Sequence, residues 1–176
     1  MENIDQHQIE EPQGTPRVKI VQRNAIAVSL IYMVVASISH MFREQAMNME
    51  TGITLLIVVI FLGGILITQN QVRLQTYMGF MDFSKAMGTG MLFVLYYAVI
   101  VVIFDLLFNT LIAPDALAEQ KELLYQDMSK EDVDKTKRFF DLIFTPVGAA
   151  VMGLVGNLFF GLLLSLVGSA ITSRNK

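Results

Sequence analysis

The segment that decides the fold is residues 86–112, which read AMGTGMLFVLYYAVIVVIFDLLFNTLI. Its 27 residues contain one charged side chain, Asp105. An α-helix rises about 1.5 Å per residue, so about 20 residues cross the hydrocarbon layer of a bilayer. The segment is therefore long enough and apolar enough to be a membrane-spanning helix.

Three further apolar runs accompany it, at residues 24–42, 53–69 and 146–171. The run at 53–69 is near the lower length limit for a membrane span. Its helix must therefore extend into its polar flanks, lie parallel to the bilayer normal or thin the bilayer locally. No run alternates polar and apolar residues, and each is longer than the roughly 9–11 residues of a membrane β-strand. A helix also satisfies its own backbone hydrogen bonds in lipid. The pattern predicts an all-α integral membrane protein, a four-transmembrane-helix bundle.

The composition supports a membrane location and excludes several kinds of site. Hydrophobic residues make up 53% of the chain and charged residues 16%, whereas a soluble domain has about 25% charged residues. The absence of cysteine excludes disulfides, thiolate metal sites and cysteine nucleophiles. A net charge of -3 argues against nucleic acid as a partner. Membrane lipid is the partner that the composition predicts.

Two parts of the chain lie outside the apolar runs. Residues 1–16 are acidic and proline-containing, and we expect a disordered polar tail before a single membrane domain at residues 17–176. Residues 113–145 are predicted to be an extramembrane helical hairpin between spans 3 and 4, with helix starts at Pro114 and Ser129. Its apolar edge should rest on the bilayer or the bundle, and docking of a partner is the alternative.

The charged flanks of the runs bear on orientation. With four spans both termini lie on one side, and that side collects seven basic residues against six on the other. Basic residues close to span ends count most, and they flank the first and last spans directly. We therefore expect both termini to be cytoplasmic. The seven are Arg17, Lys19, Arg23, Arg73, Lys85, Arg174 and Lys176.

Small and polar residues recur at intervals of four along the fourth run. They are Ala149, Gly153, Asn157, Gly161, Ser165 and Ser169. In lipid, helices associate through close backbone contact and hydrogen bonds, so this pattern predicts a helix-packing ridge. A ridge that lines a pore is the alternative. The Asn157 amide needs a hydrogen-bond partner, for which Tyr96 and Tyr97 are candidates.

Three polar residues within the runs are candidates for function: Asp105, Asn109 and Asn157. An intramembrane carboxylate is a functional hypothesis by default. However, Asp105 lies 19 residues past Ala86, close to the outer interface, and Asn109 one turn later can share its solvation. No Lys, Arg, Glu or His lies in the middle of a run to form a relay. We therefore interpret Asp105 as structural, with a transport role as the alternative.

The order of parts along the chain also resembles a known family. Residues 79–90, GFMDFSKAMGTG, open the third run, residues 112–115, IAPD, close it, and SRNK ends the chain. This arrangement resembles the bacterial membrane family catalogued as domain of unknown function 4199, over residues 17–176. The most specific residues are Gly79, Phe83, Lys85, Ala86 and Gly90. The resemblance implies a four-span inner-membrane protein of a Gram-negative bacterium, and no activity or catalytic residues.

The functional prediction combines these observations. We expect a multi-pass inner-membrane protein that is not an enzyme and has no catalytic residue, cofactor or metal. It should act through helix–helix assembly, either as a homo-oligomer or with a membrane-protein partner in a larger complex. A small oligomeric transporter or channel is the alternative.

Overall fold

The computed structural model describes residues 16–42, 50–126, 128 and 130–174. Its helices are α1 Arg17–Met41, α2 Glu50–Gln75, α3 Phe83–Leu107, α4 Ala116–Gln126, α5 Lys130–Ile143 and α6 Pro146–Thr172. A π-helical turn, Phe108–Ile112, continues α3. The described residues contain no strand, only an isolated bridge between Met81 and Arg174. The predicted all-α class is confirmed, while the predicted tail lies outside the described residues apart from Pro16.

Four of these helices are long and apolar enough to cross a membrane: α1, α2, α3 with its π-helical turn, and α6. The predicted four-helix membrane bundle is confirmed. The short second run does extend into its polar flanks, because α2 continues to Gln75. Likewise α1 begins at Arg17, before the first apolar run. The helices are longer than the runs because polar side chains at their ends find partners on neighbouring helices.

The bundle is organised around α3, which packs against α1, α2 and α6. Phe93, Val94 and Val101 of α3 are almost completely buried and form the centre of the core. Val21 of α1 and Ile65 of α2 pack into the same cluster. In turn α2 contacts both α1 and α6.

At one end of the bundle, α1 and α3 begin while α2 and α6 finish. We call this the closed end, comprising residues 17–24, 68–75, 83–90 and 165–174. A tight loop joins α2 to α3 there, with Met78 at φ 52° and Gly79 at φ 93°. The loop pairs with the chain after α6, because Met81 N donates to Arg174 O at 3.0 Å and Arg174 N donates to Met81 O at 2.8 Å. This exchange fixes the end of α6 against the start of α3.

The connection between α3 and α6 forms the predicted helical hairpin. Lys121 of α4 bonds Asp141 of α5 at 3.0 Å, and this hydrogen bond raises the pKa of Lys121. The rings of Tyr125 and Phe140 lie 5.9 Å apart between the same helices. Ser129, the predicted second N-cap, lies outside the described residues.

Candidate functional site

The strongest polar cluster in the bundle is a buried network at the closed end, centred on Gln69 of α2. Gln69 is fully buried. Its Nε2 donates to Ala86 O of α3 at 3.0 Å and to Ser169 Oγ of α6 at 3.1 Å. Its Oε1 accepts from Thr172 Oγ1 of α6 at 3.2 Å. Because one side chain joins three helices with its donors and acceptor satisfied, the network is a structural tie.

Glycines provide the space that this network needs. A Cβ atom added at Gly90 would lie 2.7 Å from Gln69 Nε2, and one at Gly168 would lie 2.6 Å from Gln69 Oε1. Farther along α6, a Cβ at Gly161 would collide with the side chain of Val94. The close approach of α2, α3 and α6 therefore depends on residues without side chains, as is typical of helix packing in membranes.

A second set of hydrogen bonds ties α1 to α2 at the same end. Asn24 Nδ2 donates to Thr68 Oγ1 at 3.1 Å and to Gln71 Oε1 at 2.9 Å. Arg23 Nη2 also donates to Gln71 Oε1, at 3.1 Å. Arg73 Nη1 donates to the backbone oxygen of Thr172 at 3.1 Å, where a cation suits the carbonyl end of a helix. All four membrane helices are thus joined at the closed end.

Asp105 lies toward the other end of the bundle, between α3 and α1. Tyr32 of α1 donates its hydroxyl to the carboxylate, with distances of 3.2 and 3.4 Å to the two oxygens. Asn109 Nδ2 bonds the backbone oxygen of Asp105 at 2.8 Å and does not reach the carboxylate group. The Asp105 carboxylate is therefore held by one tyrosine.

A small polar cavity of about 240 Å³ lies beyond this contact, near the start of the π-helical turn. Ser39, His40, Asn109 and Gln120 are among its lining residues, and the His40 ring packs edge-on against Phe108. No cluster of three or more His, Cys, Asp or Glu residues that could hold a metal occurs among the residues described.

The predicted ridge on α6 is divided by the structure. Gly161, Ser165 and Ser169 are buried in the bundle, whereas a Cβ added at Gly153 would meet nothing within 4 Å. The reason is geometric: with 3.6 residues per turn, a four-residue repeat rotates about 40° around the helix at each step. Over the four steps from Gly153 to Ser169 this rotation amounts to about 160°. The buried face instead follows Ala150, Leu158, Gly161, Ser165, Gly168, Ser169 and Thr172.

The half of α6 that leaves the core borders a cleft between α2 and α6, of about 330 Å³. We call this half of the bundle, with residues 50–61 of α2 and 146–160 of α6, the open end. The cleft is almost entirely apolar, and its lining includes Phe61, Tyr97, Gly156, Asn157 and Phe160. Leu163 also lines it.

The Asn157 amide is not hydrogen-bonded to Tyr96 or Tyr97, the two candidate partners named from the sequence. Tyr96 Oη accepts a hydrogen bond from Gln22 Nε2 at 3.0 Å, so that tyrosine is engaged with α1. Within the described part of the chain, neither Asn157 nor Tyr97 makes a hydrogen bond. Both side chains instead border the cleft. The open end therefore holds two polar groups that are not hydrogen-bonded to any of the described residues.

Sequence reasoning missed the network around Gln69, because the second apolar run was ended at that residue. A signal was nevertheless present. Phe61, Ile65 and Val72 are buried on one face of α2, and Gln69 lies at the helical spacing between them. Continuing that periodicity through a polar residue would have predicted a buried amide.

Comparison with known proteins identifies the family and little else. No curated protein and no solved structure matches the chain. A family model described as a protein of unknown function, DUF4199, matches residues 24–174, which include all four membrane helices apart from the first turns of α1. The family predicted from the order of the motifs is confirmed, and the chain belongs to the family described as proteins of unknown function, DUF4199.

Proposed function

We propose that this protein is a non-enzymatic inner-membrane protein that acts through helix–helix assembly, as a homo-oligomer or as a subunit of a larger membrane complex. The observation that carries the proposal is the Asn157 amide, near the middle of α6, which has no hydrogen-bond partner among the described residues. Lipid chains offer an amide no hydrogen bond, so a neighbouring helix is the natural source of one. The non-enzymatic part rests on the sequence, which has no cysteine and only two histidines.

The first test is the size of the protein in a mild detergent or a lipid nanodisc. We expect an assembly well above the 19.7 kDa chain, or a membrane protein that co-purifies with it. The Asn157→Leu variant should lose part of that assembly without a lower melting temperature. Val155→Leu on the exposed face of α6 is the matched control and should change neither. A monomer with no co-purifying protein would overturn the proposal.

The orientation belongs to the same proposal. Six basic residues of the closed end and its adjoining loop support a cytoplasmic location for that end: Arg17, Lys19, Arg23, Arg73, Lys85 and Arg174. Because the chain has no cysteine, single cysteines report accessibility directly. An impermeant thiol reagent applied to spheroplasts should label Gln126→Cys and spare Ser84→Cys. The reverse labelling pattern would invert the orientation.

A small oligomeric transporter or channel is the second candidate, and one observation favours it. The Asp105 carboxylate lies within a membrane span, three residues before the π-helical turn Phe108–Ile112. Intramembrane acids and π-helical turns both occur often at functional sites. The contact with Tyr32 supports the structural interpretation instead, because it gives the carboxylate a partner within the bundle. Replacing the Asp105 carboxylate with a neutral amide separates the two candidates, because only transport needs the charge.

A further inference from the structure

Tyr97 is the first observation that points to a missing partner at the open end. Its side chain is 3% exposed, and its ring packs on Phe61 with the ring centres 4.5 Å apart. It borders the cleft between α2 and α6, and it makes no hydrogen bond with the described residues. Inside a bilayer the cleft offers this hydroxyl no water, and a hydroxyl without a hydrogen-bond partner there is unfavourable. A group that enters the cleft from outside the chain can supply that partner.

Depth in the membrane decides which kind of group this is. Asn157 is eleven residues after Pro146, the first residue of α6, so it lies about 16 Å along a helix of 27 residues. That position is near the bilayer midplane, where lipid contributes hydrocarbon chains and no hydrogen-bonding groups. A lipid that fills the cleft would leave both Asn157 and Tyr97 without partners. The occupant therefore carries a polar group at the same depth.

A second copy of the chain carries such a polar group at the required depth, because it has its own Asn157. Two copies inserted in the same direction place their Asn157 side chains at the same depth. An amide carries both donors and an acceptor, so it pairs with an identical amide. A two-fold axis along the membrane normal brings equivalent residues together in this way.

The backbone of α6 at the open end also allows a close approach. A Cβ atom added at Gly153 or Gly156 would meet nothing within 4 Å, so these glycines leave the backbone accessible from outside the bundle. Gly156, Asn157 and Phe160 follow Gly153 at helical spacings of three, four and seven residues, which places all four on one side of α6. Small residues on such a face are what membrane helices use to pack closely.

We infer that the protein forms a two-fold symmetric dimer in which the open-end stripe of α6, residues 149–160, packs against the same stripe of a second copy. The two Asn157 amides pair across the axis, and the cleft beside Tyr97 is covered by the partner helix. This inference rests on the proposed function and specifies its partner and its surface.

The test is disulfide cross-linking in native membranes. Gly153→Cys and Gly156→Cys, introduced singly, should form covalent dimers on mild oxidation, because a disulfide needs Cα atoms about 4.4–6.8 Å apart. Val155→Cys and Phe159→Cys are matched controls in the same stretch, on side chains that are 56% and 57% exposed on another side of α6. We expect the controls to remain monomeric under the same oxidation. Equal cross-linking of all four variants, or of the controls alone, would overturn the inference.

A second measurement checks the amide pair without relying on oxidation. Asn157→Leu should weaken dimerisation in nanodiscs on the order of 3- to 30-fold, the range for polar contacts between membrane helices. Asn157→Gln keeps the amide and should retain most of the dimer. If dimerisation of Asn157→Leu equals that of the wild type, the pair does not form and the inference fails.

The outcomes also separate this inference from the proposed function. Assembly into oligomers or complexes without cross-links through Gly153 or Gly156 would reject the α6 surface and leave the proposed function standing. A protein that is monomeric in membranes, nanodiscs and mild detergent would overturn both.

Discussion

The closed and open ends of the bundle use the same two helices, α2 and α6, and pack them in opposite ways. At the closed end Gly168 lies directly against Gln69, whose side-chain donors and acceptor reach α3 and α6. At the open end the two helices border a cleft, and the polar groups of Asn157 and Tyr97 have no partner among the described residues. At the closed end the Gln69 side chain is hydrogen-bonded within the chain, whereas at the open end two polar side chains are not hydrogen-bonded to any described residue.

The difference shows that a glycine in a membrane helix can have two structural roles: it allows close packing within one chain, or it leaves the helix backbone accessible to another chain. Gly161 and Gly168 are required by the fold, because a side chain at either position would collide with a neighbouring helix. Gly153 and Gly156 are not required by it, since a Cβ there would meet nothing among the described residues. Packing within one chain therefore accounts for the first pair only, and the second pair supports a surface that acts between chains.

We expect the largest difference between the two ends when a glycine of each end is replaced by leucine, and the melting temperature and the assembly of the variants are measured. Gly161→Leu should lower the melting temperature strongly, because a side chain at this position collides with Val94 and overpacking costs about 1–3 kcal/mol or more. Gly153→Leu should melt like the wild type and lose assembly instead. Thermal unfolding in detergent measures the first property, and size in nanodiscs measures the second. Equal melting shifts for both variants would remove the distinction between the two ends.

A smaller effect is expected from Gln69→Leu at the centre of the closed-end network. The variant should lose about 1–2 kcal/mol in the free energy of unfolding, in line with polar contacts between membrane helices. The loss is limited because Thr172 and Ser169 also bond backbone oxygens of their own helix, at 2.8 and 2.6 Å. Asn157→Leu is the matched control at the open end and should cost nothing in a monomer. Equal destabilisation by both variants would show that Asn157 is also tied within the chain.

Hydropathy was sufficient to predict the four membrane helices and their order, because the cost of exposing backbone groups to lipid leaves little choice of structure. The extramembrane hairpin was predicted instead from helix-start residues such as Pro114. It could not predict the helix ends. The polar residues from Gln69 to Gln75 looked like a boundary, whereas the helix continues through them because Gln69 and Arg73 bond to α6. Such partners come from distant parts of the chain, and composition within one run does not contain them.

The ridge on α6 shows the same limit in a different form. The four-residue repeat includes Gly161, Ser165 and Ser169, which are buried, and it omits Gly168 and Thr172, which are buried as well. A true helical face follows 3.6 residues, so the repeat leaves the core as it is traced back toward Gly153. Which part of the ridge faces the bundle depends on where α3 lies, and one helix in isolation does not contain that information.

The smallest expected effect concerns the polar contact that the open half does make within the chain, between Asp105 and Tyr32. In Asp105→Asn the amide oxygen can still accept the Tyr32 hydroxyl, which lies 3.2 Å from Oδ1 in the native protein, so stability should change little. Asp105→Leu removes the acceptor and should cost about 1–3 kcal/mol, because it leaves that hydroxyl unpaired.

Complementation of a deletion strain, or proton flux in proteoliposomes at matched expression, then tests whether function needs the charge of Asp105. A structural Asp105 predicts that the asparagine variant behaves like the wild type and only the leucine variant is impaired. A transport role requires the charge, because a neutral amide can neither exchange a proton nor balance a cation. Complete loss of function in a well-folded Asp105→Asn protein would therefore make transport the favoured function. The functional site would then be the contact between α1 and α3 around Asp105, and not the surface of α6.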